Sequence, residues 1–303
     1  VTFSAAIAAA SESQPQARPE RVTGRTLIAD GDALAYYCAG NDDTAPGQCR
    51  RNLEDKLQAA AGAAGADRIV ILATSQASHK GHRFAIATVK PYQGKRDSGR
   101  RPKNWAFLRA LIECDPRTVL TDTMEADDLF HVNSIRLGDN NVAILTQDKD
   151  MRMVPGWHLN WETHALVRVL PDTWCTAVDG KVYGRKWFWL QMLHGDTADN
   201  IPGLPKCTIG ESQRLCGEVT AAKLLAPFDS EPKARSRVFE QYSAYYGEKD
   251  CRAAMLEQAC LLWMRRTDRL FDCMQSGGPL DVYAGSQEWA AAVLTVRSRV
   301  VDI

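Results

Sequence analysis

The stretch RTLIADGDALAYYCA, Arg25–Ala39, sets out the building plan of the chain. A short apolar run, Thr26–Ala29, ends on an acid, turns through Gly31 and enters a segment with helical apolar spacing. So short and uniformly apolar a run predicts a strand buried on both faces, and a helix right after it predicts a parallel partner. The pattern repeats. Cys49–Gly65 is Ala-rich and reads as helix, RIVILAT (Arg68–Thr74) as strand, NWAFLRALI (Asn104–Ile112) as helix, Thr118–Leu120 as a brief strand, Met124–Leu137 as helix and Val142–Thr146 as a buried strand. The expected fold class is α/β, a central and mainly parallel sheet flanked by helices.

In open sheets of this kind ligands lie outside the carboxyl ends of the strands. Asp30 ends the first strand, Glu125, Asp127 and Asp128 follow the third, and Asp148 and Asp150 follow the fourth, so all six are expected along one edge. LHGDTADNIPGLP (Leu193–Pro205) adds Asp196 and Asp199 after a Trp-rich helix at Lys186–Leu193. Each group alone has a local explanation. Asp122 or Thr123 can cap the helix with Glu125 closing a capping box, and DKD or GDTAD can be turns. Local capping does not require four separate acidic groups to share one end of one sheet. A pair of hard divalent cations held about 3.5 to 4 Å apart does require several carboxylates.

Composition narrows the partners. The chain has 303 residues, enough for one large domain or two modest ones, with 37 basic against 37 acidic side chains, so net charge is uninformative and position matters. Lys80–Lys103 carries eight Lys or Arg against Asp97 alone, while Glu113–Asp150 carries nine acids against three bases. This separation suits a protein that keeps metal and polyanion side by side. Tyr92 within the basic segment could stack on a base, although a lone tyrosine more often serves packing. Nine cysteines, without C-x-x-C or close His, argue against a disulfide framework and against structural zinc, and point to a reducing cytoplasm. Residues 1–24 read as a flexible extension; they lack the basic start and strong apolar stretch of a signal peptide, and no run suggests a membrane span. Residues 25–182 form the expected α/β unit with the basic segment at 79–104, residues 183–270 a helical region, and 271–303 a segment without an assigned task. Gly203, Gly210 and Gly217, the last directly before a helix, form a turn-rich element able to present backbone N–H groups to a phosphate.

The ordered series LIADGDALAYYC, YQGKRDSGRRPKNWAFLRAL, MEADDL, ILTQDKDMRMVPG and HGDTADNIPGLP with CGEVTAAKLL resembles the flap endonuclease family of 5′-to-3′ exonucleases, in particular the short phage enzymes, over roughly residues 26–270. The resemblance implies a metal-dependent nuclease in a PIN-like sheet domain, a helical arch formed by the basic segment, and a helix-hairpin-helix-like grip on duplex DNA that often binds K⁺. It implies Asp30, Glu125, Asp127, Asp128, Asp148, Asp150, Asp196 and Asp199 as catalytic ligands of two Mg²⁺ ions, with Mn²⁺ able to substitute. Arg83, Lys90, Tyr92, Lys95, Arg96, Arg100, Arg101, Lys103, Gly203, Gly217, Thr220 and Lys223 would contact DNA. The implied partner is duplex DNA with a 5′ end, nick or 5′ flap, or an RNA–DNA hybrid, in the cytoplasm of a bacterial host.

Two departures stand out. Ser75 or Gln76 stands where the family has an Asp after the second strand, and Gln93 where it has a Lys near the scissile phosphate, with Lys90, Lys95 or Arg83 as replacements. Lys206–Cys216 looks inserted into the glycine-rich hairpin. Two rival readings survive. ADGDAL with GDTADN also suits a haloacid dehalogenase-type phosphatase, although Leu34 stands where that family wants Thr or Val. Ser75 and Gln93 suit a non-cleaving or RNA-directed nucleic-acid binder.

Overall fold

The structure, a computed structural model, describes residues 21–94, 101–178 and 180–301. The expected extension up to residue 20, and Lys95, Arg96 and Arg100, lie outside the described residues. Six strands, β1 (Thr26–Asp30), β2 (Arg68–Thr74), β3 (Thr118–Thr121), β4 (Val142–Leu145), β5 (Gly156–Leu159) and β6 (Leu166–Val169), form one sheet in the order β3-β2-β1-β4-β5-β6. All neighbours are parallel except β5 and β6. The sequence reading lacks β5 and β6. Each is four residues long, and pairing rather than composition makes them strands: β5 adds to β4 (Ala143 opposite Trp157) and β6 to β5 (Gly156 opposite Val169).

The helices are α1 (Gly31–Tyr37), α2 (Pro46–Ala64), α3 (Arg83–Ile86), α4 (Trp105–Glu113), α5 (Ala126–Leu137), α6 (Arg185–His194), α7 (Glu218–Leu225), α8 (Glu231–Leu262, interrupted at Gly247) and α9 (Gln287–Val301). Two antiparallel hairpins join them: β7 (Thr176–Val178) with β8 (Lys181–Tyr183), and β9 (Lys206–Ile209) with β10 (Ser212–Leu215). The second hairpin is the stretch that looks inserted.

Alternation along the strands divides the core. Leu27, Ala29, Ile71, Ala73, Ala143 and Leu145 pack toward Leu53, Leu57, Leu108 and Ile112 of α2 and α4. Ile28, Leu72 and Ile144 face the other way, onto Phe130 of α5 and a larger core with Trp189, Met192, Tyr242 and Leu256 from the helical region. With both faces covered, β1 is buried at every residue, which is why it reads as an unbroken apolar run.

The described part of the basic segment 79–104 holds a 3-10 turn at Lys80–His82 and the single-turn α3. The chain just before it zips onto the loop ahead of α5: the Ser75 N–H donates to the Thr121 carbonyl (2.8 Å), that of His79 to Asp122 (3.1 Å) and that of Gly81 to Thr123 (2.9 Å). Because those carbonyls are engaged sideways, α5 starts later than the sequence suggests. Glu125, not Asp122 or Thr123, is its N-cap and closes the capping box with Asp128.

Arg83 fastens this corner. Its guanidinium is 1% exposed and donates in bidentate fashion to Asp128, itself 0% exposed, at 2.7 and 2.8 Å, and also to the Trp263 and Leu261 carbonyls. Asp128 also accepts the Arg265 N–H at 2.9 Å. Removing one partner of a buried ion pair strands the other charge, at a cost of about 3 to 5 kcal/mol. Arg83→Met should lower the unfolding free energy from urea titration by that amount; a loss below about 1 kcal/mol would refute the anchoring role.

Candidate metal centre

Strand order reverses at β1: the chain goes from β1 out to β2 and β3, then returns to add β4 on the other flank. The crevice above β1 and β4 is the expected ligand position. Asp30, last residue of β1, caps α1 by accepting the Ala33 N–H (2.9 Å), and its second oxygen accepts the Thr146 hydroxyl (2.7 Å) from just beyond β4. Asp148 caps the 3-10 turn Lys149–Met153 through the Asp150 N–H (2.7 Å). The first turn of α5 delivers Glu125 and Asp127, where the helix dipole favours negative charge.

The loop after α6 brings the last two acids. Asp196 and Ile201 pair through their backbones, Lys149 reaches Asp196 at 3.2 Å, and Gln191 on α6 donates to Asp150 at 2.5 Å. Burial and then the neighbouring Asp148 and Asp196 push the Asp150 carboxyl well above the usual carboxylate range, while Lys149 and the Asp150 carboxyl hold Asp196 below it against burial. The Tyr92 hydroxyl lies within hydrogen-bond distance of both Glu125 (2.7 Å) and Asp199 (2.8 Å), and Gln93 gives its N–H to the Asp199 carbonyl (2.8 Å).

The electrostatics record the crowding. Burial first, then the charge of Asp32, pushes the Asp30 carboxyl up from 3.8 to about 6. Burial likewise lifts Asp148 to about 7, with Asp199, Asp30 and Asp196 adding repulsion. Asp127 rises well above the usual carboxylate range through burial and then Asp148, Asp30 and Glu125. Burial also raises Glu125, with Arg83 partly offsetting it. For Asp128 and Asp196 burial is outweighed, by Arg83 and by Lys149 respectively, and both fall below the ordinary value. The acids that feel one another most are therefore those without a full cationic partner. In donor type and charge the set fits a hard divalent cation. In spacing it does not form a closed cage: among the described residues no three His, Cys, Asp or Glu stand close enough to hold one ion. Tyr92, Gln93, Gln191 and Lys149 hold the oxygens instead.

Several expected contact residues are placed differently. Arg83 and Tyr92, expected on DNA, are buried at 1% and 4% exposure and serve the carboxylates. Asp128, expected as a ligand, has both oxygens committed to Arg83 and the Arg265 N–H. Gly203, expected at a phosphate, gives its N–H to buried Gln258 (3.0 Å), and its positive φ of 61° lets it lie against the Gly195 backbone, where a Cβ would collide. Lys90, Arg101, Lys103, Gly217 and Lys223 are exposed and Thr220 half-buried; Arg101 lies over the Trp105 ring (4.1 Å). Where an Asp was missing after β2, the Thr74 hydroxyl accepts the Ala126 N–H (2.9 Å), holding the start of α5. Lys80, Lys149 and Gln191 are the site residues the sequence reading passed over, while Gln93 entered it only as the place of a missing lysine. Lys149 alone had a visible signal, standing between the two acids of DKD.

Because Asp30 and Asp148 titrate higher folded than unfolded, the folded chain holds more protons between about pH 4 and 7, and its stability falls as pH rises across that window. Asp128 and Asp196, with lowered values, contribute stability that is lost only below about pH 4. In chelator the melting temperature should be higher at about pH 5.5 than at 7.5, and Mg²⁺ should raise it more at the higher pH, since ligands must be deprotonated. Melting that ignores both pH and Mg²⁺ would remove the metal assignment.

Solved structures share this architecture. A T5 5′-exonuclease with zinc ions bound is 17% identical, with a TM-score of 0.53 over 90% of this chain and 99% of that one. The T5 D15 protein co-crystallised with metal ions is 15% identical, with a TM-score of 0.50 over 91% and 99%. A bacteriophage T5 flap endonuclease in a complex with DNA and metal ions is 13% identical, with a TM-score of 0.48 over 91% and 98%. No protein-family profile and no curated protein matches the sequence. At these identities the likeness is one of fold, and the fold of this chain is that of the T5 5′-exonuclease.

Proposed function

We propose that the protein is a divalent-metal-dependent nuclease that hydrolyses DNA phosphodiesters near 5′ ends, as an exonuclease or flap endonuclease. The observation that carries this reading is the meeting of carboxylates from four separate chain segments in the crevice at β1 and β4, with the basic segment packed directly against it. The likeness of fold to a T5 5′-exonuclease with zinc bound supports the same reading. Glu125 and Asp127, with Asp30, would hold one Mg²⁺ or Mn²⁺, and Asp148, Asp150 and Asp199 a second. Such ions supply neutralising charge and a bound water of lowered pKa.

The side chains around them have separable tasks. Thr146 and the start of α1 fix the two oxygens of Asp30, Tyr92 orients Glu125 and Asp199 toward each other, and Lys149 keeps Asp196 ionised. In an in-line displacement, water adds to phosphorus as the bond to the 3′ oxygen breaks, leaving a 5′ phosphate and a 3′ hydroxyl. The exposed Lys90, Arg101 and Lys103, together with Lys95, Arg96 and Arg100, would track the strand backbone, and Gly217, Thr220 and Lys223 the duplex; such contacts weaken with salt. K⁺ at the turn between Gly203 and Gly217, action on RNA–DNA hybrids and work in a phage-infected cytoplasm belong to the same proposal. Among the described residues no helix is long and apolar enough to cross a membrane.

The deciding experiment incubates the protein with end-labelled blunt, nicked and 5′-flap duplexes, with Mg²⁺ and with chelator. Short products from the 5′ end, abolished by chelator, are expected. Asp127→Asn and Asp148→Asn should each slow cleavage by about a thousandfold or more while duplex binding survives. Full activity in either variant would overturn the ligand set. Binding without cleavage would favour the non-cleaving reading, and turnover of a small phosphomonoester the phosphatase.

A further inference from the structure

Three cations touch the carboxylate cluster among the described residues: Arg83, Lys149 and Lys80. Arg83 is sealed in its pair with Asp128, and Lys149 is committed to Asp196 at 3.2 Å. Lys80 is differently disposed. Its side chain is 23% exposed, its ammonium lies 3.8 Å from Glu125, and its one close hydrogen bond, 2.5 Å, goes to the side-chain oxygen of Gln93. An ammonium carries three donors, so two remain for an incoming group. Gln93 holds both ends of the arrangement, since its amide nitrogen donates to Glu125 at 3.1 Å.

The backbone is bent to make this meeting. Of the six non-glycine residues with positive φ among the described residues, four border the site: Lys80 (49°), His82 (63°), Gln93 (55°) and Asn200 (59°). Such conformations are costly for residues with a Cβ and persist where the surrounding structure enforces them, characteristically at functional sites. Resting on the nuclease reading above, we propose that Lys80 is a catalytic residue whose ammonium binds a non-bridging oxygen of the scissile phosphate, with Gln93 as its positioning residue. The sequence reading had given that task to Lys90, Lys95 or Arg83. Lys80 acts by charge alone: it forms no bond and passes no proton, but opposes the negative charge that grows on the phosphoryl oxygens as water adds.

The test compares the full-length protein with Lys80→Met, Lys80→Arg and the double variant Lys80→Met with Gln93→Lys, measuring single-turnover cleavage and Kd on a 5′-flap duplex, with melting temperatures in parallel. Lys80→Met should cut the cleavage rate about a hundredfold with Kd within about twofold and melting unchanged. Lys80→Arg should keep most of the rate. The double variant should recover at least about tenfold, because a lysine at 93 would bring an ammonium to the same edge of Glu125. A Lys80→Met rate within about threefold of the parent, a loss matched by weaker binding, or no recovery in the double variant would overturn the proposal. A parent protein that cleaves nothing would defeat the nuclease reading itself, a separate outcome from any difference between variants.

Discussion

The bidentate pair between Arg83 and Asp128 is the interaction on which the architecture turns. It joins the basic segment, the first turn of α5 and the turn after α8 in one buried knot, through the Trp263 and Leu261 carbonyls on one side and the Arg265 N–H on the other. A buried ion pair gives little net stability over an apolar pair of the same size, because desolvation of both charges offsets their attraction. What it supplies here is position. The same guanidinium lies 3.1 Å from Glu125, so the group that ties the sheet unit to the helical region also sets the first acid of the crevice.

Around that knot the molecule keeps negative charge where solvent and helix dipoles can tolerate it, yet with too few cations to neutralise it. Seven acids other than Asp128 share the crevice, and burial first, then their mutual repulsion, lifts Asp30, Asp127, Asp148 and Asp150 above the ordinary range. Stability alone would select against such an arrangement. A site that must receive dications and a phosphate needs both the uncompensated charge and the hydrogen bonds from Tyr92, Gln93 and Gln191 that steady it in their absence.

The helical region and the C-terminal segment support the basic segment as well as covering the sheet. Glu257 on α8, 2% exposed, accepts the N–H groups of Thr88 and Val89 and the Thr88 hydroxyl. Arg299 on α9 closes on the same carboxylate at 2.6 Å and on the Ile86 carbonyl. The last helix, for which the sequence suggested no task, thus braces the base of the segment that faces the crevice. Trp289, stacked on Tyr283 at 4.4 Å and tilted against Phe239 of α8 at 6.2 Å, holds that helix in place.

The sequence by itself determined the mainly parallel sheet, the order of strands and helices through α5, and the edge on which the acids gather, because unbroken apolar runs, helical spacing and acids at strand ends are local patterns. Those patterns put Asp30, Glu125, Asp127, Asp128, Asp148 and Asp150 on one edge, while Asp196 and Asp199, which follow a helix, joined them through the motif series. The local patterns did not reach β5 and β6, whose four-residue lengths are defined by their neighbours, or the late start of α5, which follows from carbonyls paired to Ser75, His79 and Gly81. Tertiary structure alone decided that Arg83 and Asp128 would be consumed by each other, that Tyr92 would serve carboxylates, and that Lys80 would reach Glu125 across a span of 45 residues. A charged side chain shows its sign in the sequence; its partner is chosen by burial, where an unpaired charge costs too much to remain.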